Sequence, residues 1–297
     1  YLALNKMASH TKLDVVGHRP YRIDREDFMN SHQREFAHLE EIMKPVLWDF
    51  GRIRNQASAD SFLNLVEKDM QVFGPILAEK KVGVTTTLWL MENIGKQKFE
   101  LEEALTEVQL AYVNTGLSEW NENFTGGLGW LPKVNRYLIT DASSRPQEEL
   151  ERLRIFWKTY AEACKIVLHN MRKYKVAIMA GTDANVPLAV PGFSFHDELV
   201  SLMKADMSPR EILRSATATP AHWLGHQTGT IKEGFKANLV LLNKNPLEDI
   251  RHTQSIRSVV KDGRFYDRDL LDTLLQAVKQ ANDESRTIDI EKFAKNP

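Results

Sequence analysis

The sequence predicts an α/β fold in which parallel strands are covered by helices. Short apolar segments alternate with longer amphipathic segments over residues 13–224, and strands joined by crossover helices lie parallel in one sheet. The pattern then changes to short strands separated by turns over residues 225–268, which predicts a small antiparallel unit. A last amphipathic helix at 269–282 opens a C-terminal helix and tail at 269–297.

The composition is that of an ordinary globular chain and excludes several classes of function. Hydrophobic residues make up 42% and charged residues 27% of the 297 residues, and the net charge is −1, so no basic surface favours nucleic acid or an anionic membrane. No apolar run approaches the roughly 20 residues that span a bilayer. The single cysteine, Cys164, excludes an internal disulfide and zinc sites with two or four cysteines.

The first predicted elements are two short strands with a helix between them. The run LDVVGH at 13–18 is apolar and ends near a glycine, which is typical of a buried strand. The polar segment at 22–31 predicts a short helix. The segment REFAHLEE at 34–41 predicts a second strand on a weaker pattern.

A long helix and a third strand follow. Apolar residues at helical spacing predict a helix over 58–80, with Ser58 or Asp60 as its cap. The β-branched segment VGVTTTLWL predicts a strand over 82–90. Residues 91–147 hold polar helix-like stretches and then many glycines and aromatics, so we expect an insertion with a long loop.

The longest predicted helix precedes the last parallel strand. Amphipathic spacing predicts a helix over 148–174 and the run VAIMAG predicts a strand over 176–181. Ser194 or Asp197 starts the next predicted helix, at 194–205.

Clear local signals mark the remaining elements. Residues 208–225 open with a capping box, in which Ser208 precedes Glu211 by three residues and Pro209 occupies the first helical position. Strands are predicted within 229–243 and 256–268, and the dipeptide Asp262-Gly263 predicts a tight hairpin inside the second segment.

Three polar residues lie at or just after the ends of predicted parallel strands: His18, His38 and Asp183. The carboxyl ends of such strands meet at one edge, where active sites of this fold class lie. Two imidazoles and a carboxylate suit a divalent metal such as zinc, as one or two ions. A metal lowers the pKa of bound water to about 7 and supports hydrolysis, with Asp183 able to accept the proton.

Each of these residues also has an ordinary structural interpretation. A histidine in a strand-to-helix loop is often a hydrogen-bonded structural group, and an aspartate after a strand is often a helix cap. His196 follows Asp183 after a short loop and opens the next predicted helix. It either faces the pocket, as a substrate-binding residue or a support for a ligand, or serves as a cap. No nucleophile elbow, P-loop or dinucleotide motif competes with the strand-end residues.

Several segments resemble the C-terminal half of the amidohydrolase superfamily, and within it the imidazolonepropionase-like and prolidase-like group. These segments are GTDA (181–184), HDELVSLMKADMSPREILRSATATPAHWLG (196–225) and GTIKEGFKANLVLLNKNPLEDI (229–250). Shorter segments resemble barrel strands five, six and seven of that family, in the order VVGHRP (15–20), FAHLEE (36–41) and VTTTLWL (84–90).

The resemblance implies a metal-dependent hydrolase on a (β/α)8 TIM barrel, cutting carbon–nitrogen bonds of amides, lactams or dipeptides. It assigns His18 and His38 as metal ligands on strands five and six. It assigns Asp183 as a ligand and base after strand eight. Residues 1–224 would then be strands five to eight of the barrel with an insertion at 91–147, and residues 225–268 the C-terminal part of a small β-sandwich.

This sequence departs from the family pattern in the metal ligands of the first half. The family has a His-x-His pair at strand one and often a carboxylated lysine at strand four, and this chain contains no His-x-His. We therefore expect the chain to begin after strand four. Four strands cannot close an eight-stranded barrel, and open strand edges favour pairing with another chain.

The aromatic residues of the insertion are expected to lie over the mouth of the pocket, because the insertion follows strand seven. There they would help to choose the substrate or would act only as a covering flap. They are Tyr112, Trp120, Phe124, Trp130 and Tyr137.

Two hypotheses of different class follow. The first is a metal-dependent hydrolase of a small amide or peptide, with no nucleic-acid or membrane partner and with homo-oligomerisation left open. The second is an inactive half-barrel that acts as a binding or dimerisation module through its open edges. We expect a cytoplasmic location by default, and a secreted or periplasmic one is also compatible with one cysteine.

Overall fold

A parallel sheet forms the centre of the structure, a computed structural model that describes residues 1–11, 13–114, 129–131 and 135–285. Its strands are β1 (Glu35–Ala37), β2 (Gly83–Thr85) and β3 (Ala177–Met179), in the order β1-β2-β3. A lone parallel bridge between Val15 and Gln33 extends the sheet beyond β1. The predicted α/β class with parallel strands and covering helices is confirmed.

The predicted parallel strands were all too long: 34–41 shortens to β1 and 176–181 to β3, and two segments depart further. The segment 13–18 forms only the bridge at Val15, because its other apolar side chains stay exposed, Leu13 at 67% and Val16 at 56%. The segment 82–90 stops at Thr85, and a helix begins at Leu88. Leu88 and Leu90 are buried in that helix, although the apolar run in which they lie also fits a buried strand.

The helices surround this sheet and connect its strands. Their bounds are α1 Leu2–Thr11, α2 Arg25–Met29, α3 Glu40–Met43, α4 Leu47–Phe50, α5 Gln56–Glu79, α6 Leu88–Phe99, α7 Leu101–Thr106, α8 Gln147–Lys173, α9 Phe193–Lys204, α10 Pro209–Ser215, α11 Ala218–Trp223 and α12 Arg268–Ser285. Short 3₁₀ turns occupy Lys44–Val46, Leu110–Tyr112, Ala142–Ser144 and Ile250–Gln254. No helix of the described residues has the length and hydropathy of a membrane-spanning segment.

The core lies between the sheet and the long helices α5 and α8, which pack against each other. The register pairs Phe36 with Val84 and Val84 with Ile178, so these three side chains point to the same face, and all are buried. Gly74 allows α5 to approach the ring of Tyr174, which a Cβ at that position would overlap. Burial of apolar side chains on this face is the main stabilising term of the fold.

Helix caps agree with the predictions in one case and correct them in two. Ser208 accepts a hydrogen bond from the Glu211 amide and the Glu211 side chain bonds back, so the predicted capping box is confirmed. The cap of α5 is Asn55, with Ser58 as its reciprocal partner, and not Ser58 or Asp60. Helix α9 begins at Phe193 and not at Ser194 or Asp197. Its N-cap is Gly192, whose positive φ of 83° lies outside the helical region.

A second, antiparallel sheet follows α11. It consists of β4 (Leu239–Leu242), β5 (Ile256–Lys261) and β6 (Arg264–Tyr266) in sequence order. Asp262 and Gly263 have φ of 48° and 78°, which is the two-residue turn the sequence predicted. The strand predicted within 229–243 is limited to β4, and Val240 and Leu241 of that strand are more than half exposed, at 57% and 53%.

Replacing the α10 cap should reduce stability measurably. Ser208→Ala removes the acceptor for the Glu211 amide, and we expect a loss of about 1 kcal/mol in the free energy of unfolding by urea titration. Ser61→Ala, at an exposed position inside α5, is the matched control and should change stability by less than about 0.5 kcal/mol. Equal effects at the two positions would contradict the capping role.

Candidate functional site

The structure places the three predicted residues at the carboxyl edge of the parallel sheet. His38 directly follows β1 with a φ of 85°, and Asp183 follows β3 with a φ of 51°. The His18 and His38 rings lie with centroids 4.9 Å apart and planes inclined by 52°. Left-handed backbone at non-glycine residues is uncommon and often marks functional positions.

Electrostatics connect Asp183 to this pair. Burial lowers the pKa of His38, the nearby carboxylate of Asp183 opposes that fall, and the neighbouring His18 adds to it. His38 is buried, whereas the side chains of His18 and Asp183 are exposed. The edge therefore presents one buried imidazole, one accessible imidazole and one accessible carboxylate.

Each imidazole is held through its Nδ1 atom. Nδ1 of His18 lies 2.7 Å from Oε1 of Glu41, and Nδ1 of His38 lies 3.0 Å from Oγ1 of Thr87. The described hydrogen bonds engage only this nitrogen of each ring. This is the arrangement that orients histidines toward a metal in protein sites, in which the second ring nitrogen is left for the ion.

Glu41, which was not singled out from the sequence, lies at this edge and contacts His18. It is 2% exposed and lies on α3, one turn after His38. Its Oε2 lies 2.5 Å from the Arg19 amide nitrogen and 2.5 Å from Nζ of Lys44. The only sequence signal was the acidic pair Glu40-Glu41 at the end of the predicted strand 34–41, a pattern that also fits an ordinary first turn of a helix.

A second buried carboxylate supports the turn that holds His38. Glu198 accepts hydrogen bonds from the amides of Leu88 at 3.0 Å and Trp89 at 2.7 Å, and also from the Thr86 hydroxyl. The next residue, Thr87, has a left-handed φ of 57° and contacts His38. Burial raises the pKa of Glu198 to about 7, which its hydrogen-bond donors partly counter.

The residues present fit part of a metal site. Two imidazoles with satisfied Nδ1 atoms at a strand edge are suitable donors for a divalent cation. Within residues 1–11, 13–114, 129–131 and 135–285, no group of three or more His, Cys, Asp or Glu side chains is arranged to hold a metal. The predicted ligands are therefore neighbours but do not make a complete coordination set in the described part of the chain.

His196 occupies a different environment. Its Nδ1 lies 2.9 Å from Oγ1 of Thr253, and burial lowers its pKa. It lines a cavity of about 740 Å³ between α9, α10 and the second sheet, whose lining is mainly apolar. Among the described contacts, none joins His196 to His18, His38 or Asp183, so its proposed role toward substrate remains a prediction.

The described part of the insertion contacts the loop that carries Asp183. Trp130 is fully buried in a cluster with Leu188 and Val190, and Tyr112 stacks on Phe193 with centroids 5.0 Å apart. Tyr137 is half-buried and packs against the main core. Trp120 and Phe124 lie outside the described residues.

A buried amide network joins the same two segments. Gln97 donates to the carbonyl of Pro187 at 3.2 Å and accepts from Nδ2 of Asn135 at 3.1 Å. Oδ1 of Asn135 in turn accepts from the amides of Tyr137 and Leu138. The insertion is therefore tied to the loop that follows β3, at the same edge of the sheet as Asp183.

Comparison with known proteins finds a family similarity in the C-terminal part of the chain. Residues 158–266 match the amidohydrolase family. The match covers the C-terminal part of the parallel-sheet region and the second sheet. The chain is also 31% identical over 117 residues to ochratoxinase of Aspergillus niger, a match that covers 37% of this chain and 24% of ochratoxinase. The predicted resemblance to the amidohydrolase superfamily is confirmed, and members of this family are generally metal-dependent.

The fold is shared with a solved amidohydrolase. The structure superposes on bottromycin amidohydrolase with a TM-score of 0.65 and 21% identity, covering 94% of this chain and 56% of that one. At this identity the likeness concerns the fold. The matched stretch spans about a quarter of the length of ochratoxinase, and the superposed chain spans about half that of bottromycin amidohydrolase.

Close packing beside Asp183 gives a first prediction for the site. A Cβ on Gly181 would overlap Cγ2 of Thr85, so Gly181→Ala should reduce the free energy of unfolding by about 1–3 kcal/mol. Thr85→Ser removes that methyl group and keeps the hydroxyl that donates to Glu35, so the double variant should lose less than the sum of the single losses.

Gly51→Ala is the control for this experiment, because no atom lies within 4 Å of the added Cβ. Urea titration of the four variants measures the coupling. Strict additivity of Gly181→Ala and Thr85→Ser would show that these residues do not meet.

The raised pKa of Glu198 gives a second prediction. The folded state keeps a proton that the unfolded state, with a carboxyl pKa near 4.5, has released, so this contribution to stability is present below pH 4.5 and is lost as the pH rises through about 7. Glu198→Gln cannot titrate. The fall in unfolding free energy between pH 4.5 and 7 should therefore be shallower in the variant, by at most about 1 kcal/mol per pH unit.

Denaturant titration at several pH values measures this slope. Glu40, whose pKa burial also raises to about 7, is present in both proteins and affects them equally. Glu102→Gln, at an exposed position on α7, should keep the wild-type slope. An unchanged slope in Glu198→Gln would contradict the assignment.

Proposed function

We propose that this chain provides the C-terminal half of a metal-dependent amidohydrolase that hydrolyses a carbon–nitrogen bond in an amide, a lactam or a dipeptide. The observation that carries the proposal is the pairing of His18 and His38 at the strand edge of a chain whose C-terminal part matches the amidohydrolase family. The similarity to ochratoxinase and to bottromycin amidohydrolase is consistent with an amide substrate.

In this proposal His18, His38 and Asp183 hold a divalent metal, with zinc the best match for imidazole and carboxylate donors. The metal, when bound, would supply Lewis acidity and an activated water at neutral pH. The carboxylate of Asp183 would accept the proton of the attacking water, since it is exposed at the edge and lies near His38. The remaining ligands would come from residues outside this set.

The proposal includes a finer assignment of the fold. The parallel order of the Val15 bridge, β1, β2 and β3 corresponds to strands five to eight of a (β/α)8 TIM barrel, and the β4–β6 sheet corresponds to the C-terminal part of a small β-sandwich. Coverage of 56% of bottromycin amidohydrolase supports this correspondence. The insertion, tied to the Asp183 loop through Gln97 and Asn135, would then contribute to the choice of substrate.

A second candidate is an inactive module that binds a partner or a second copy of itself. The observation that favours it is exposed apolar surface on the second sheet, including Val240 at 57% and Phe265 at 63% exposure. Such exposed apolar patches often mark interaction surfaces.

Metal content and hydrolysis decide between the two. We expect the purified chain to take up zinc stoichiometrically by equilibrium dialysis and His18→Ala and His38→Ala to lose it. His10→Ala, an exposed histidine on α1, is the matched control and should keep it. On a panel of N-acyl amino acids, lactams and dipeptides, Asp183→Asn should lower hydrolysis by at least about 100-fold.

A folded chain that takes up no zinc and hydrolyses none of these compounds would contradict the first proposal. If that chain also self-associates, and if substitutions at Val240 and Phe265 or in the edge segments 13–18 and 176–180 abolish the association, the second candidate is favoured. Analytical ultracentrifugation measures that association.

A further inference from the structure

We propose that Glu41 is a positioning residue that holds the His18 ring as the tautomer with its proton on Nδ1, which leaves the lone pair of Nε2 directed to the site. The contact itself is the 2.7 Å approach of Nδ1 to Oε1 of Glu41. The consequence for metal binding rests on the proposed function, whereas the tautomer does not.

The first reason is that neither a regular strand ladder nor neighbouring packing orients the His18 ring. The segment before it makes one isolated bridge, at Val15, in place of a regular ladder. Gly17 has a φ of 106°, and its carbonyl accepts from the Ala37 amide at 3.4 Å and from the Gln33 side chain at 3.1 Å, so the backbone before His18 does not continue the strand ladder. The side chain of His18 is 66% exposed, so neighbouring packing does not fix its ring.

The second reason is that the two oxygens of Glu41 have separate partners. Oε2 accepts from the Arg19 amide and from the Lys44 ammonium, each at 2.5 Å, while Oε1 contacts Nδ1 of the His18 imidazole. An ionised carboxylate only accepts, so the proton of this contact belongs to Nδ1. A second tautomer, with the proton on Nε2, would place two acceptors against each other.

The third reason is that Glu41 is itself immobilised. Its side chain is 3% exposed and that of Lys44 is 13% exposed. Lys44 also donates to the carbonyl of Arg19, so the backbone next to His18 is held through both its N–H and its C=O groups. A buried, fixed carboxylate thereby orients an exposed ring, as carboxylates do behind histidine ligands in metal sites.

The test compares Glu41→Gln with two controls by ¹⁵N NMR of the histidine rings, at a pH where they are neutral, with His18→Ala to assign the signal. In Glu41→Gln the side-chain oxygen can still accept from the Arg19 amide and the Lys44 ammonium, while the NH₂ group donates to Nδ1 of His18. The ring proton should then move to Nε2 in Glu41→Gln. The wild-type protein should show the Nδ1-protonated form.

The controls separate positioning from a structural role. Glu40→Gln changes the adjacent carboxylate, whose Oε2 has no hydrogen-bond partner, and should keep the wild-type tautomer. Lys44→Met removes the ion pair with Glu41 but leaves the contact between Oε1 of Glu41 and Nδ1 of His18. This variant should also keep the wild-type tautomer. If Lys44→Met moves the proton as Glu41→Gln does, Glu41 serves only its ion pair with Lys44 and the inference is wrong.

Zinc titration by calorimetry adds a readout for the metal. Affinity should fall by about 10–100-fold in Glu41→Gln and remain unchanged in Glu40→Gln. A wild-type chain that binds no zinc but shows the expected tautomers supports the inference and contradicts the metal part of the proposed function. An Nδ1-protonated His18 in Glu41→Gln overturns the inference whatever the zinc result.

Folding is checked by circular dichroism. Removing one partner of a buried ion pair is often strongly destabilising. If Glu41→Gln alone does not fold, the double variant with Lys44→Met removes the unpaired ammonium. In that variant too we expect the His18 ring proton on Nε2. A ring proton on Nδ1 would overturn the inference.

Discussion

The parallel register of β1, β2 and β3 is the constraint on which the rest of the structure depends. It pairs Phe36, Val84 and Ile178 across the sheet, so their side chains form one apolar face that α5 and α8 cover. Because the strands run in the same direction, their carboxyl ends share one edge. The polar residues that follow the strands are therefore neighbours although long stretches of sequence separate them.

Buried carboxylates compensate for the shortness of these strands. Each strand has three residues, so the backbone hydrogen bonds between strands cover only a short length of the sheet. Glu35 accepts from the Gly17 amide at 3.1 Å and from the Thr85 hydroxyl at 2.6 Å, which joins three segments at the edge. Glu41 and Glu198 do the same for the residues around His18 and for the start of α6. Bonds from backbone amides to a carboxylate are strong and directional.

This arrangement also explains why the two histidines differ. His38 is buried between β1 and the Thr86–Thr87 turn, and desolvation holds its pKa low. His18 lies on the outermost segment, where only the Val15 bridge continues the sheet, and its ring is exposed. One ring is therefore fixed by its surroundings and the other by a single carboxylate. A site built in this way brings a rigid donor and an accessible donor together at the strand edge.

The sequence by itself determined the α/β class, the order of the elements, the capping box of α10 and the hairpin at Asp262-Gly263, because each depends on local periodicity or local backbone geometry. It also identified the amidohydrolase resemblance and the strand-end positions of His18, His38 and Asp183. Only the tertiary structure decided where the 82–90 strand stops, because the carboxylate of Glu198, more than 100 residues away, satisfies the amides of Leu88 and Trp89. It likewise decided the roles of Glu41 and Thr87 and the separate location of His196. Such contacts join residues from different elements, and no local pattern in the chain encodes which distant side chain will arrive to meet them.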